Sequence, residues 1–210
     1  MKKSIITLLI AFSVGLNYAQ TFQGEFIYEF SIQNAPDMGM QYRTITDGKN
    51  TKSVVNMMGQ EMEVVRYDEN YLYVIMHAQK MIMKSKNDNS MLNNPNSMFQ
   101  DVTCKPEQSQ KKRNILGYDC TEYRAVCSDK EGETSIVSVW YTEAISLPMV
   151  QYQPSSFGIQ DLPQEGAAME MIITRKGEAL MSMKVAKISP RVVAASEFEI
   201  PKNYQVVEMN

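Results

Sequence analysis

Apolar and polar residues alternate with a period of two along most of this chain, and this alternation constrains the fold more than any other feature. In the stretch 22–32 the apolar side is formed by Phe22, Phe26, Tyr28, Phe30 and Ile32. A period of two is typical of a strand that buries one of its faces. The sequence therefore predicts a half-buried β-strand over this stretch.

Turn signals recur at short intervals after this strand, for example Asp47-Gly48 and Lys176-Gly177. Short strands joined by tight turns favour an antiparallel meander over alternating βαβ units. The further candidate strands span residues 40–46, 51–57, 61–67, 71–76, 80–84, 109–115, 119–127, 134–141, 166–174 and 178–188. The sequence predicts a mainly β fold.

The last predicted hairpin has a register that decides which side chains meet. A three-residue loop over 175–177, with its glycine in the left-handed conformation, places Met171 opposite Met181. A two-residue turn over 176–177 would place Met171 opposite Ser182 and would mix apolar and polar residues on one face. We therefore expect the three-residue loop.

The first 19 residues have the order of a secretory signal peptide. Two lysines precede an apolar run from Ile5 to Leu16, and Ala19 supplies a small residue for cleavage. The run is shorter than the roughly 20 apolar residues that span a bilayer. We expect cleavage near Ala19, a single β-rich domain over 20–210, and a periplasmic or extracellular location.

The charge balance does not favour nucleic acid as a partner. The chain has 21 basic and 24 acidic side chains, and its basic run is the short Lys111-Lys112-Arg113. Binding to the phosphate backbone needs a larger basic surface. No segment after the first 19 residues is apolar over a length that would cross a membrane, so no transmembrane segment is expected.

The residues that carry most enzymatic chemistry are scarce. His77 is the only histidine, so neither a Ser-His nor a Cys-His nucleophile is readily built, and a multi-His metal site is excluded. There is no Gly-rich phosphate loop after a strand and no Cys-x-x-Cys pair. The sequence predicts a protein that is not an enzyme, with no cofactor and no metal, and His77 as a surface residue in a turn.

Three cysteines in an exported chain predict one disulfide and one remaining thiol. If 119–127 is one strand, Cys120 and Cys127 lie on opposite faces, roughly 23 Å apart, which is too far for a bond. A bridge must then include Cys104. We expect it to join Cys104 to Cys120, since a turn at Gly117 would bring the two alongside; three buried unpaired thiols are the alternative.

Methionine is unusually abundant, with 17 residues. Pairs such as Met169/Met171 and Met181/Met183 project to one face of a strand. Such a face is either a plain packed core or a deformable apolar surface for a lipid-like ligand, and a Cu(I) site is a third reading. As candidate ligand-binding residues we take these four methionines together with Trp140.

Three segments resemble a family of exported Gram-negative bacterial proteins that carry a domain of unknown function. They are the stretch from Asn114 to Tyr123 with its Gly-Tyr-x-Cys motif, the stretch from Val139 to Glu143 with Trp140, and the closing stretch from Phe198 to Tyr204. The resemblance implies a fold similar to the lipoprotein carriers LolA and LolB, a curved antiparallel half-barrel with short helical lid segments. It implies no catalytic residues.

Two segments that break the strand pattern are candidates for such a lid, namely 86–100 and 143–164. We therefore expect an apolar ligand, or the acyl chain of a lipoprotein, to bind between the curved sheet and this lid. The alternative is a structural or protein-interaction module of the cell envelope with a fully packed core and no ligand.

Overall fold

The computed structural model describes residues 20–33, 41–57, 60–66, 71–86, 103–147 and 166–209. The predicted signal peptide lies outside these residues. So do nearly all of the two predicted lid segments, of which only residue 86 and residues 143–147 are described.

Strands dominate the described residues, as the alternating sequence pattern predicts. They are β1 (Gln20–Thr21), β2 (Gly24–Ile32), β3 (Gln41–Thr46), β4 (Thr51–Met57), β5 (Gln60–Arg66), β6 (Tyr71–Met76), β7 (Met81–Lys86), β8 (Thr103–Ile115), β9 (Tyr118–Ser128), β10 (Thr134–Thr142), β11 (Ile145–Ser146), β12 (Ala167–Arg175), β13 (Glu178–Pro190) and β14 (Gln205–Met209).

Twelve of these strands form one open, curved sheet in the order β14-β7-β6-β5-β4-β3-β2-β13-β12-β10-β9-β8. Every pair of neighbours is antiparallel except β14 and β7, which run parallel. The two short strands β1 and β11 pair with each other separately. The predicted fold class is confirmed, and β14 is an addition that makes the sheet mixed.

The helical structure in the described residues is a single 3₁₀ helix, Ala195–Phe198. Its Phe198 is fully buried against Val65, Ile75 and Ile82, which lie on β5, β6 and β7. The segment that follows β13 thus covers one face of this half of the sheet. No helix in this part of the chain is long and apolar enough to cross a membrane.

The hairpin between β12 and β13 differs from the prediction. Lys176 and Gly177 form a two-residue turn in which both φ angles are positive, 52° and 85°, as a type I′ turn requires. Leu180 is left out of the ladder as a bulge, which returns the apolar residues to one face. Met171 therefore lies opposite Met183, and the predicted three-residue loop is wrong.

The disulfide also differs from the prediction. Cys104 lies opposite Cys127 in the ladder between β8 and β9, and the two are bonded. Cys120 lies opposite Arg113 and is a free, buried thiol. The predicted Cys104–Cys120 pairing is wrong because the two residues lie at opposite ends of the β8–β9 hairpin. Cys120 lies close to the turn, whereas Cys104 lies near the start of β8 and therefore reaches the end of β9. A shift of register between Gln108 and Lys112 aligns Cys104 with Cys127.

Candidate functional site

One face of the twelve-stranded sheet carries methionines on both sides of its centre. The strand register joins the two groups through one cross-strand row on the same face, which runs through Val185, Tyr28, Tyr42, Val55 and Met62. We call this face the Met face. Its methionines on β5, β6, β7, β12 and β13 are Met62, Met76, Met81, Met83, Met169, Met171, Met181 and Met183, and β14 adds the exposed Met209.

The four methionines predicted from the sequence lie together on β12 and β13. Met169, Met171 and Met183 are 0%, 1% and 3% exposed and belong to one core cluster. Met181 is half-buried and packs against that cluster. This half of the Met face is tightly packed, so a charged substitution at Met171 would test folding before it tested binding.

Trp140 does not lie on the Met face, although we predicted it as part of the same site. It follows Val139 in β10 and therefore projects to the opposite face, where it lies between Glu122 and Glu170 in the ladders. The Arg113 guanidinium carbon lies 4.0 Å from the centroid of its ring. Arg113 also forms an ion pair with Glu170, so Trp140 is part of a polar network.

The other half of the Met face carries a row of methionines that the sequence analysis missed. Met62 lies opposite Met76, which lies opposite Met81, across β5, β6 and β7. All three side chains are half-buried. Met83 packs beside them against the small cluster around Val64. The residues of the row come from three different strands, so only the strand register brings them together.

Between the two groups of methionines lies a set of buried hydroxyl groups, which we call the hydroxyl patch. Its members on β3 and β4 are Tyr42, Thr44, Thr46, Thr51 and Ser53, which are at most 5% exposed. The Tyr42 hydroxyl donates a hydrogen bond of 2.5 Å to Ser53 Oγ. Thr46 Oγ1 accepts one of 2.9 Å from the backbone N–H of Gly48. Thr44 Oγ1 is buried and has no hydrogen-bond partner.

The Met face is electrically neutral at its centre. Burial, and secondarily the neighbouring Tyr42, raises the pKa of Tyr28 far above its ordinary value of 10.0. Burial, together with Glu143 and Tyr123, raises the pKa of Tyr141 to about 12. Both phenols therefore stay protonated and uncharged at physiological pH.

A cavity of about 630 Å³ lies at one end of the sheet, within the size range of small-molecule sites. We call it the end cavity. Its lining includes Phe22 and Ile145, which also belong to the core cluster that contains the buried methionines. Pro190 lines it as well, and lies in a cross-strand row with Gly24 and Thr46. The end cavity therefore adjoins the core cluster of the Met face.

His77 lies in the turn after β6, as predicted, but it is not isolated. Its Nδ1 lies 2.9 Å from the Tyr204 hydroxyl and its Nε2 lies 3.5 Å from a Glu63 carboxylate oxygen. Glu61 completes a group whose ligand atoms are within 4.8 Å of one another. Lys52 Nζ, 3.2 Å from Glu63, already supplies a counter-charge. This arrangement ties the segment before β14 to β5, and we assign it no metal.

Comparison with known proteins gives a family match and a distant structural likeness. The search of curated proteins finds no match. The crystal structure of MucB is similar with a TM-score of 0.40 and 12% sequence identity, over 89% of this chain and 59% of the MucB chain. The chain thus spans less than two thirds of the MucB chain. The likeness to LolA and LolB stays a prediction.

The predicted membership of a family of unknown function is confirmed. The model of the domain of unknown function DUF4412 matches residues 22–204, from two residues before β2 to the residue before β14. The match includes the Gly-Tyr-x-Cys motif, whose Gly117 forms the turn between β8 and β9. The chain belongs to the DUF4412 family.

Proposed function

We propose that this protein is an exported, non-enzymatic binding protein that holds a lipid-like molecule against the Met face. The observation that carries the proposal is the row formed by Met62, Met76 and Met81, three half-buried side chains that adjoin one another across three strands. A contiguous apolar surface of this kind is typical of a ligand or partner site.

The chemistry of methionine supports a ligand of variable shape. Its unbranched thioether side chain has three rotatable bonds and adapts to irregular apolar surfaces. Covering apolar surface gains about 25 cal/mol per Å² removed from water. Three of the four methionines on β12 and β13 are buried in the core cluster, whereas those of the row are half-buried, so the row is the part of the face that a ligand would cover.

The end cavity supports a route onto this face. Phe22 lines the cavity and contacts Phe26 edge-to-face, with 4.7 Å between the ring centroids, and Phe26 continues into the core of the Met face. An acyl chain that enters at Phe22 would meet Phe26 and then Tyr28 on the same face of β2, and Tyr28 begins the cross-strand row that leads to Met62. Free lipids and the acyl chains of a lipoprotein share this chemistry.

The disulfide supports the exported location. Cys104 and Cys127 are bonded, and structural disulfides form and persist mainly in oxidising compartments outside the cytosol. This agrees with the signal peptide predicted over residues 1–19.

A structural or protein-interaction module is the second candidate, and the edge strand β14 favours it. All five residues of β14 are exposed, including Val206 at 54%. An edge strand with exposed apolar side chains can pair with a strand of another protein. In that case the Met face would be a packed core and would take up no ligand.

A titration with a fatty acid that carries an environment-sensitive fluorophore separates the two candidates. The proposal predicts a saturable rise in fluorescence with about one probe per chain, and displacement of the probe by unlabelled lipid. The interaction module predicts no saturable signal. The chain should be purified without detergent, since detergent would occupy the same surface.

A further inference from the structure

We infer that the hydroxyl patch is the subsite for an uncharged polar group of the ligand, an ester or an alcohol at the end of an acyl chain. This inference rests on the proposed function, because it assigns the polar end of a molecule whose apolar part covers the Met face. The observations that support it concern Thr44 and its neighbours, not the methionines.

Thr44 carries the first step. Its side chain is 0% exposed and its Oγ1 has no hydrogen-bond partner. A buried hydroxyl without a partner is unfavourable, and most buried polar groups in proteins have one. Valine has nearly the same shape as threonine and would fill this position at no such cost. A ligand atom that bonds to Oγ1 explains the presence of threonine.

The neighbours of Thr44 supply further donors and acceptors. Ser53 lies directly opposite Thr44 on β4. It accepts the hydrogen bond from Tyr42, and its own hydroxyl proton remains available as a donor. Two adjacent hydroxyls can therefore bind the carbonyl oxygen of an ester, or the hydroxyl of an alcohol, from two directions.

A second unpartnered hydroxyl lies on the same face. Ser85 on β7 is 5% exposed and its Oγ also has no partner. In the register it lies opposite Leu72, two residues beyond Met83 on β7. Unpartnered hydroxyls thus lie on the Met face on both β3 and β7, which fits a ligand with a polar end and an apolar chain.

The charge of the surroundings selects the class of polar group. In the cross-strand row of Thr44 the described neighbours are Phe26, Ser53 and Val64, which are all uncharged. The register places one charged residue of β5 on this face, Arg66, opposite Thr51 at the end of the hydroxyl patch. A buried ion without a counter-charge is strongly unfavourable. At Thr44 itself a neutral ester or alcohol therefore fits better than a phosphate or a carboxylate.

The test compares Thr44→Val with the wild-type chain, using monolauroylglycerol and dodecane as competitors for the fluorescent probe. These two competitors share the twelve-carbon chain and differ in the polar group. The variant should bind monolauroylglycerol about three- to tenfold more weakly, the loss expected for one hydrogen bond, and should bind dodecane as the wild type does. Ser53→Ala should act in the same direction.

Melting of the chain without ligand gives an independent readout. Because Thr44 Oγ1 has no partner, Thr44→Val should leave the melting temperature unchanged or raise it. The control is Thr174→Val, since Thr174 Oγ1 donates a long hydrogen bond of 3.5 Å to the backbone carbonyl of Ile136. This variant should not alter the preference for monolauroylglycerol.

Four results would overturn the inference. If the wild-type chain binds the two competitors equally, or if Thr44→Val weakens both by the same factor, the ligand has no polar contact at Thr44 while the proposed function stands. If Thr44→Val lowers the melting temperature, its hydroxyl is already satisfied by the protein or by a bound water. If the wild-type chain binds neither probe nor competitor, the proposed function fails as well.

Discussion

Met62 lies directly opposite Met76 across the ladder between β5 and β6, and both side chains are half-buried on the Met face. The pair lies outside the tightly packed cluster of β12 and β13, so a substitution here tests binding with little effect on the core. We expect Met76→Lys to weaken binding of the fluorescent fatty acid at least about tenfold, because the ammonium group would have to be desolvated beneath the ligand.

The matched control for this variant is Val206→Lys. Val206 is exposed and pairs with Ile82, whose side chain lies on the opposite face of the sheet. The control should bind the probe with unchanged affinity and should melt within a few degrees of the wild type. Equal loss of binding in both variants would show that added charge, and not the Met face, is responsible.

The disulfide pairing gives a second prediction. The bond between Cys104 and Cys127 has a sequence separation of 23, and a loop of this length corresponds to about 3 kcal/mol of stability in the chain-entropy model. Reduction should destabilise the wild type and Cys120→Ser by similar amounts and should leave Cys104→Ser unaffected. Urea denaturation with and without reductant measures this difference. Loss of the reductant effect in Cys120→Ser would contradict the pairing.

Phe198 gives a third prediction, on the segment that covers the face opposite the Met face. Its ring is fully buried against three aliphatic residues of the sheet, so Phe198→Ala should lower the free energy of unfolding by about 3–5 kcal/mol. Val192→Ala is the control, since Val192 is 87% exposed and its truncation should change stability by less than about 0.5 kcal/mol. Equal effects would show that the 3₁₀ helix does not anchor the segment.

Glu122 gives a fourth prediction, on pH dependence. Its burial favours a raised pKa, but hydrogen bonds from Ser109 (2.6 Å) and Ser138 (2.7 Å), together with the positive charges of Lys111 and Arg124, outweigh burial and lower the pKa below its ordinary value of 4.5. A carboxyl group with a lowered pKa stabilises the fold above its unfolded pKa, and this contribution is lost as the pH falls through the folded pKa.

The stability difference between the wild type and Glu122→Gln should therefore be largest near neutral pH and should shrink as the pH falls below 4.5. Urea midpoints over a pH series measure it. Ser138→Ala, which removes one of the two donors, should move the loss to higher pH. A difference that stays constant down to the lowest pH would contradict the assignment.

The strands and their buried faces were predictable from the sequence because alternation is a local property. Residues such as Phe26 and Tyr28 mark the buried side of β2 without knowledge of its neighbours. The face of Trp140 was not predictable in the same way. Alternation shows that Trp140 and Val139 project to different faces of the sheet. Only the register of β10 against β12 shows that Val139 shares a face with Met171.

The remaining differences depend on contacts between distant segments. The parallel pairing of β14 with β7 joins residues about 120 positions apart, such as Gln205 and Met81, and has no local signal. The disulfide depends on the full length of β8, which begins six residues before the predicted strand. The spacing of Thr44 and Thr46 shows that both project to the same face of β3. That this face is buried depends on the whole sheet.

Native mass spectrometry of the chain from residue 20, purified from the periplasm without detergent, tests the central claim most directly. The account predicts an additional mass on the wild-type chain that disappears on denaturation and is absent from Met76→Lys. A bare wild-type mass that persists after incubation with lipid vesicles would contradict it, and so would the same additional mass on both chains.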